Sequence, residues 1–221
     1  MRMLNRGGIL NVPNVSFVDE DSSVKYLLEN IPTHNGYEYV DLGLPSGLKW
    51  ATCNVGATSP EQAGLYFAWG DTTGYTSEQV FNHEGPFNSA RYNSGPAASI
   101  STDLTLEQDA AHVNLGGNWR MPTKAEYREL IDNCNVVWTN DYNGTGVKGK
   151  VFTSKVNGKS VFFPAAGYGI SPVFDVGVYG YYWSASWYSS SNAWCLYFSS
   201  RNQYMDYIYR YFGSSVRGVF K

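Results

Sequence analysis

The chain has 221 residues, a net charge of −3, and equal 16% shares of charged and aromatic residues. That length makes one large domain, or one domain with a short appendage. Low, balanced charge with no acidic run longer than Asp19-Glu20-Asp21 excludes a nucleic-acid stripe and a polybasic membrane patch.

Residues 1–36 read as an N-terminal appendage and linker. Its apolar stretches are broken by Asn, Arg and Pro, so no signal-peptide core is expected. No segment reaches the ~20 apolar residues of a membrane helix, so no membrane insertion is expected. Val12, Val15, Phe17 and Val18 fit a strand, residues 24–28 a short helix or strand, and residues 32–36 a linker. Such a piece is too small to fold alone and would pack on the main domain or on a second copy, giving a homo-oligomer.

Residues 37–221 read as the main domain. Residues 37–42 alternate as a strand, 43–47 form a turn, and 48–54 form a second strand. Ser59-Pro60-Glu61-Gln62 predicts a helix start, with Ser59 as N-cap and Gln62 closing a capping box. A short helix is expected over 105–111 from its Thr-x-x-Gln opening. The clearest helix follows Thr123: Glu126 closes the capping box, and Tyr127, Leu130, Ile131 and Cys134 repeat at helical spacing. The clearest hairpin joins 151–156 to 159–163 through a two-residue Asn157-Gly158 turn. Further strands at 193–199, 204–210 and 215–220 make the class α+β, with two main helices among short antiparallel strands.

Nine of the eighteen Tyr lie in residues 179–212, with Trp183, Trp187 and Trp194, seven Ser, two Asn and one acid, Asp206. Tyr and Trp give large contact area for few rotatable bonds, and Ser and Asn give adaptable hydrogen bonding, as in antibody loops. Trp183, Leu196, Phe198, Val216 and Phe220 suit a core. Residues 205–211 do not: Tyr207, Tyr209 and Tyr211 would share one strand face, and Tyr204, Asp206, Ile208 and Arg210 the other. At least one of these faces is therefore expected to be wet, as an exposed aromatic face.

Chemistry-bearing patterns are sparse. Cys53, Cys134 and Cys195 form no close pair, which leaves three small buried hydrophobes, or one bridge and one free thiol. His34, His83 and His112 lack a catalytic neighbour pattern, and His83-Glu84 reads as a solvated pair. No phosphate loop is present, because Leu115-Gly116-Gly117 lacks the spacing. Trp138-Thr139-Asn140-Asp141 only approaches the Trp-Asn-Asp calcium signature of sugar lectins. No catalytic residue, metal or cofactor is expected.

Residues 39–57, Tyr66-Phe67-Ala68-Trp69-Gly70, Trp119-Arg120-Met121-Pro122-Thr123 and Phe163-Pro164-Ala165-Ala166-Gly167-Tyr168 follow one another in a recognisable order. Tyr182-Trp183-Ser184-Ala185-Ser186, Ala193, Leu196, Phe198, Arg210, Gly213 and Ser215-Val216-Arg217 complete the series. Together they resemble the Fibrobacter succinogenes major paralogous domain of Bacteroidetes and their phages, over about residues 37–220. Gly218 departs from the family's usual Pro.

The resemblance implies a C-type lectin-like fold. It also implies a variable protein of a diversity-generating retroelement, on a phage tail or a bacterial cell surface. Its ligand residues would be Tyr188, Ser190, Asn192, Ser199, Asn202, Tyr204, Asp206, Tyr207, Ile208, Tyr209 and Tyr211, with Trp194 among them. The partner would be a protein or glycan on a cell surface. Two alternatives stay open: a structural virion or pilus subunit using this surface as an interface, and a relative of formylglycine-generating enzymes.

Overall fold

The computed structural model describes residues 31–82, 87–89 and 99–221, so residues 1–30, with the predicted strand and short element there, and His83-Glu84 lie outside the described residues. Its architecture is α+β, dominated by short antiparallel strands. In the first sheet, β1 (Thr33–His34) pairs with β2 (Tyr37–Asp41), then β3 (Lys49–Asn54), then β12 (Arg217–Phe220). Gly218, where the family usually has Pro, thus lies within a strand.

Residues 32–36 were expected as a linker but are folded into the domain. Asn35 and Gly36 both have positive φ, 49° and 82°, as a two-residue hairpin turn requires. The Trp119 indole donates to His34 O, and the His34 ring stacks on Phe220 at 4.1 Å.

Helices α1 (Ser77–Asn82), α2 (Ala110–Leu115) and α3 (Lys124–Asn133) follow. In α3 the expected capping box forms: Thr123 Oγ1 accepts from Glu126 N, and Glu126 accepts from Thr123 N at 2.8 Å. Tyr127 and Leu130 are buried, so the helical stripe faces the core. The helix expected over 105–111 is displaced. A 3-10 turn occupies Leu106–Gln108, and Asp109 breaks it, capping α2 at His112 N and also accepting from Met121 N.

No helix starts at Ser59. The Gln62 carboxamide oxygen accepts from Thr58 N, and the Asn54 amide holds Ala63 O at 2.9 Å, so side chains capture the groups that a helix would pair.

The second sheet is β4 (Cys134–Thr139), β5 (Gly149–Ser154) and β6 (Ser160–Pro164). Its hairpin is wider than the two-residue turn expected at Asn157-Gly158. Ser154 N donates to Lys159 O across a loop that leaves Val156 exposed. The Asn157 side chain is spent on Asp41 O and Lys159 N, and Ser154 Oγ donates to Leu42 O, so tertiary contacts set the loop. A short pair, β7 (Tyr168–Gly169) and β8 (Val173–Phe174), precedes the third sheet, β9 (Gly180–Trp187), β10 (Asn192–Phe198) and β11 (Gln203–Tyr209).

Two apolar cores meet on opposite faces of this third sheet. Leu196, Phe198 and Met205 join Trp50, Tyr127, Leu130 and Phe163 in one, and Trp183, Ala193 and Cys195 join Phe67, Trp69 and Trp119 in the other. Both cores depend on the central strand β10, so it is buried on both faces while β11 stands at the edge. Among the described residues no helix is long and apolar enough to cross a membrane.

Candidate functional site

The third sheet is built from local rules. β9 runs three rings, Tyr181-Tyr182-Trp183, into the small Ser184-Ala185-Ser186, and Gly180 sits opposite Phe198, where an added Cβ would lie 2.1 Å from the ring. β10 and β11 pair without a register shift, from Asn192 opposite Tyr209 to Phe198 opposite Gln203. Ser199 N donates to Asn202 O, and the Ser199 hydroxyl accepts from Arg201 N and Asn202 N, closing the hairpin.

At least one face of β11 is expected to be wet, and both carry exposed rings. On the side of Gln203, Met205, Tyr207 and Tyr209, Met205 is buried whereas Tyr207 and Tyr209 are 45% and 49% exposed. On the other side Tyr204 is 44% exposed, Asp206 and Ile208 are half-buried, and Arg210 is buried. Each face therefore runs from core to solvent, in opposite directions, because the two cores grip the strand diagonally. Tyr211 has left the strand for the following turn, so it does not share a face with Tyr207.

Two aromatic clusters result. In the first, Tyr188 and Tyr207 stack, Trp194 meets both edge-on, and the Lys124 ammonium sits 3.2 Å over the Trp194 ring. In the second, Tyr204 packs on Tyr197, Tyr197 on Tyr181, and Tyr181 on Tyr168. Tyr168 then stacks on Phe212, against which Tyr209 and Tyr211 rest. Tyr168 and its neighbour Phe174 come from outside residues 179–212, and Lys124 comes from α3. Composition could not bring them in, because only tertiary pairing does.

The remaining candidates fall into two groups. Ser190 and Asn202 are exposed. Asn192 is half-buried and serves the β9–β10 turn, its N donating to Ser189 Oγ and its Oδ1 accepting from Ser191 Oγ. Ile208 leans on the second core.

Buried cations brace this surface. Arg210 donates to Ile100 O and Ser189 O and lies 4.7 Å over the Trp69 ring, tying the β9–β10 turn to the core. Lys150 is buried on β5, and its ammonium donates to Gln203 Oε1 at 2.6 Å, fixing the foot of β11. Burial lowers the Lys150 pKa. Burial raises that of Tyr204, helped by the Asp206 carboxylate, while a hydrogen bond with Tyr207 raises that of Tyr188. Tyr188 and Tyr204 are thus held as neutral phenols, apolar on the ring face and polar at the tip.

Elsewhere the chemistry-bearing residues have structural partners. Cys53, Cys134 and Cys195 are free thiols, the last two buried. His112 Nδ1 contacts Trp119 O, and the Trp138 indole donates to Asn140 Oδ1 beside an Asp141 carboxylate that accepts from Gly146 N. Among the described residues no three His, Cys, Asp or Glu side chains gather as a metal site. A cavity of about 270 Å³ lies away from the rings, lined by Glu38, Thr52, Cys53 and Leu115 among others.

Comparison with family models, with curated proteins and with solved structures returned no match to the chain.

Proposed function

We propose that this chain is a non-enzymatic ligand-binding module, an adhesin or receptor-binding domain with a C-type lectin-like scaffold. Its partner is a protein or glycan on a cell surface, and its setting is a phage tail or a bacterial cell surface. The observation that carries the reading is the exposure of Tyr188, Tyr204, Tyr207 and Tyr209 beside the buried Cys195, Leu196, Phe198 and Met205. Rings left in water on strands this firmly anchored offer rigid contact area at low entropic cost.

The residues that carry the family resemblance support the same division. Trp50, Trp69, Trp119, Tyr182, Trp183 and Arg217 are all fully buried, which suits a fixed scaffold. The Tyr, Ser, Asn and Asp candidates lie at strand edges and turns. We assign them to a surface diversified by a retroelement. A neighbouring reverse transcriptase with a near-copy of the last ~40 codons, differing at adenines, would support that assignment.

The function is tested by randomising Tyr188, Ser190, Asn202, Tyr204, Tyr207, Tyr209 and Tyr211 together in a surface-displayed library. Most variants should fold, and selection should yield binders to unrelated protein targets. A library that is mostly unfolded, or one in which fixing these residues leaves binding unchanged, overturns the reading.

A further inference from the structure

The outer edge of β11 is unpaired. Arg210 N donates to Ser191 O and Ser199 N to Asn202 O, and the unbroken register between them directs residues 204, 206 and 208 toward β10. Gln203, Met205, Tyr207 and Tyr209 therefore point their N–H and C=O groups away from the sheet. Tyr207 N is held by the neighbouring Asp206 carboxylate at 2.9 Å, and Tyr209 O accepts from Phe212 N. Among the described residues, the N–H groups of Gln203, Met205 and Tyr209 and the C=O groups of Gln203, Met205 and Tyr207 have no hydrogen-bond partner.

We propose that this edge is a docking seam for an extended peptide segment of a partner protein, which adds as a fourth strand to β9–β10–β11. An added strand gains affinity from main-chain hydrogen bonds and specificity from alternate side chains. Tyr204 on one face and Tyr207 and Tyr209 on the other flank the seam, so the incoming side chains meet a ring on either side. The peptide carries a Lys or Arg. Its carbonyl takes Tyr207 N–H from Asp206, and the released carboxylate, the sole acid of residues 179–212, pairs with that base. A second copy joined through the same edge would bring a second Asp206 to the seam, like charge against like. A bare edge this long otherwise invites aggregation, so an occupant also explains its persistence.

The proposal rests on the reading of residues 179–212 as a binding surface, and the test separates the two. Heptapeptides are selected from a random library against the immobilised full chain. Each binder is then remade with N-methyl groups at alternate amides. Seam docking predicts that methylation in one register weakens binding about tenfold or more, while the other register has little effect. It also predicts slowed amide exchange at Gln203, Met205 and Tyr209 on binding, and enrichment of Lys or Arg that disappears against Asp206→Asn.

Tyr207→Ala keeps the backbone N–H and Tyr207→Pro removes it, so seam docking predicts a larger loss for Pro. Binders insensitive to methylation but lost with Tyr207→Ala and Tyr209→Ala overturn the seam and leave ring recognition standing. Binders sensitive to methylation but indifferent to the rings overturn ring recognition instead. No binder at all, or a chain that dimerises through β11 in sedimentation and so blocks peptide, overturns the seam.

Discussion

Tyr188 and Tyr207 stack with ring centroids 4.1 Å apart and planes 13° from parallel, joining the β9–β10 turn to the edge strand. Trp194 braces both edge-on beneath the Lys124 ammonium, so the turn, the sheet and the start of α3 share one aromatic contact. A double-mutant cycle on Tyr188→Ala and Tyr207→Ala should show coupling: the double replacement costs less stability in urea than the sum of the singles. Strict additivity would contradict the stacked geometry.

Arg217 is fully buried, and burial lowers its pKa. Its guanidinium donates to Asn54 Oδ1, Ala51 O, Thr52 O and Phe162 O, and lies 4.5 Å over the Phe163 ring. Arg217→Ala strands four acceptors in the core and should cost about 3 kcal/mol or more. Lys cannot reproduce the fork and should rescue little. The exposed Arg201→Ala should stay within about 0.5 kcal/mol, measured in parallel by urea unfolding.

The Tyr127 hydroxyl is buried against Trp50 and has no hydrogen-bond partner among the described residues. Tyr127→Phe removes a desolvated polar group while keeping the ring, and should stabilise the chain by about 1 kcal/mol. A loss of stability would mean that the hydroxyl has a partner.

Burial alone would raise the Glu126 pKa, but the Arg120 guanidinium at 2.6 and 2.8 Å and Thr123 N hold it below the ordinary carboxylate range. Because the folded value lies below the unfolded one, the contribution is full above the ordinary range. It is lost as pH falls through the depressed value. The thermal midpoint of the wild-type chain should exceed that of Glu126→Gln at neutral pH, and the difference should shrink on acidification. A gap independent of pH would contradict the ion pair's role.

Legibility followed the range of the signal. The α3 helix was readable because its capping box and its Tyr127–Leu130 stripe are local. The tight Asn-Gly hairpin turn is not at Asn157-Gly158, because three such pairs exist and local sequence alone does not choose among them. Asn35-Gly36 closes the tight hairpin, while Asn157 is drawn off by Asp41 O. The strand alternation of residues 204–209 was correct, but which rings stay wet depends on two cores gripping β11 diagonally. Lys124 and Tyr168 joined the rings only through contacts distant in sequence, so no window of composition could contain them.

The central claim is that the exposed tyrosines of β11 are surface and not core. The direct measurement is thermal unfolding of a chain carrying Tyr204→Ala, Tyr207→Ala and Tyr209→Ala together. The transition should stay cooperative, with the midpoint lowered by no more than roughly 4–8 °C, a loss of about 2 kcal/mol. Loss of the cooperative transition would make these rings part of the core and contradict the account.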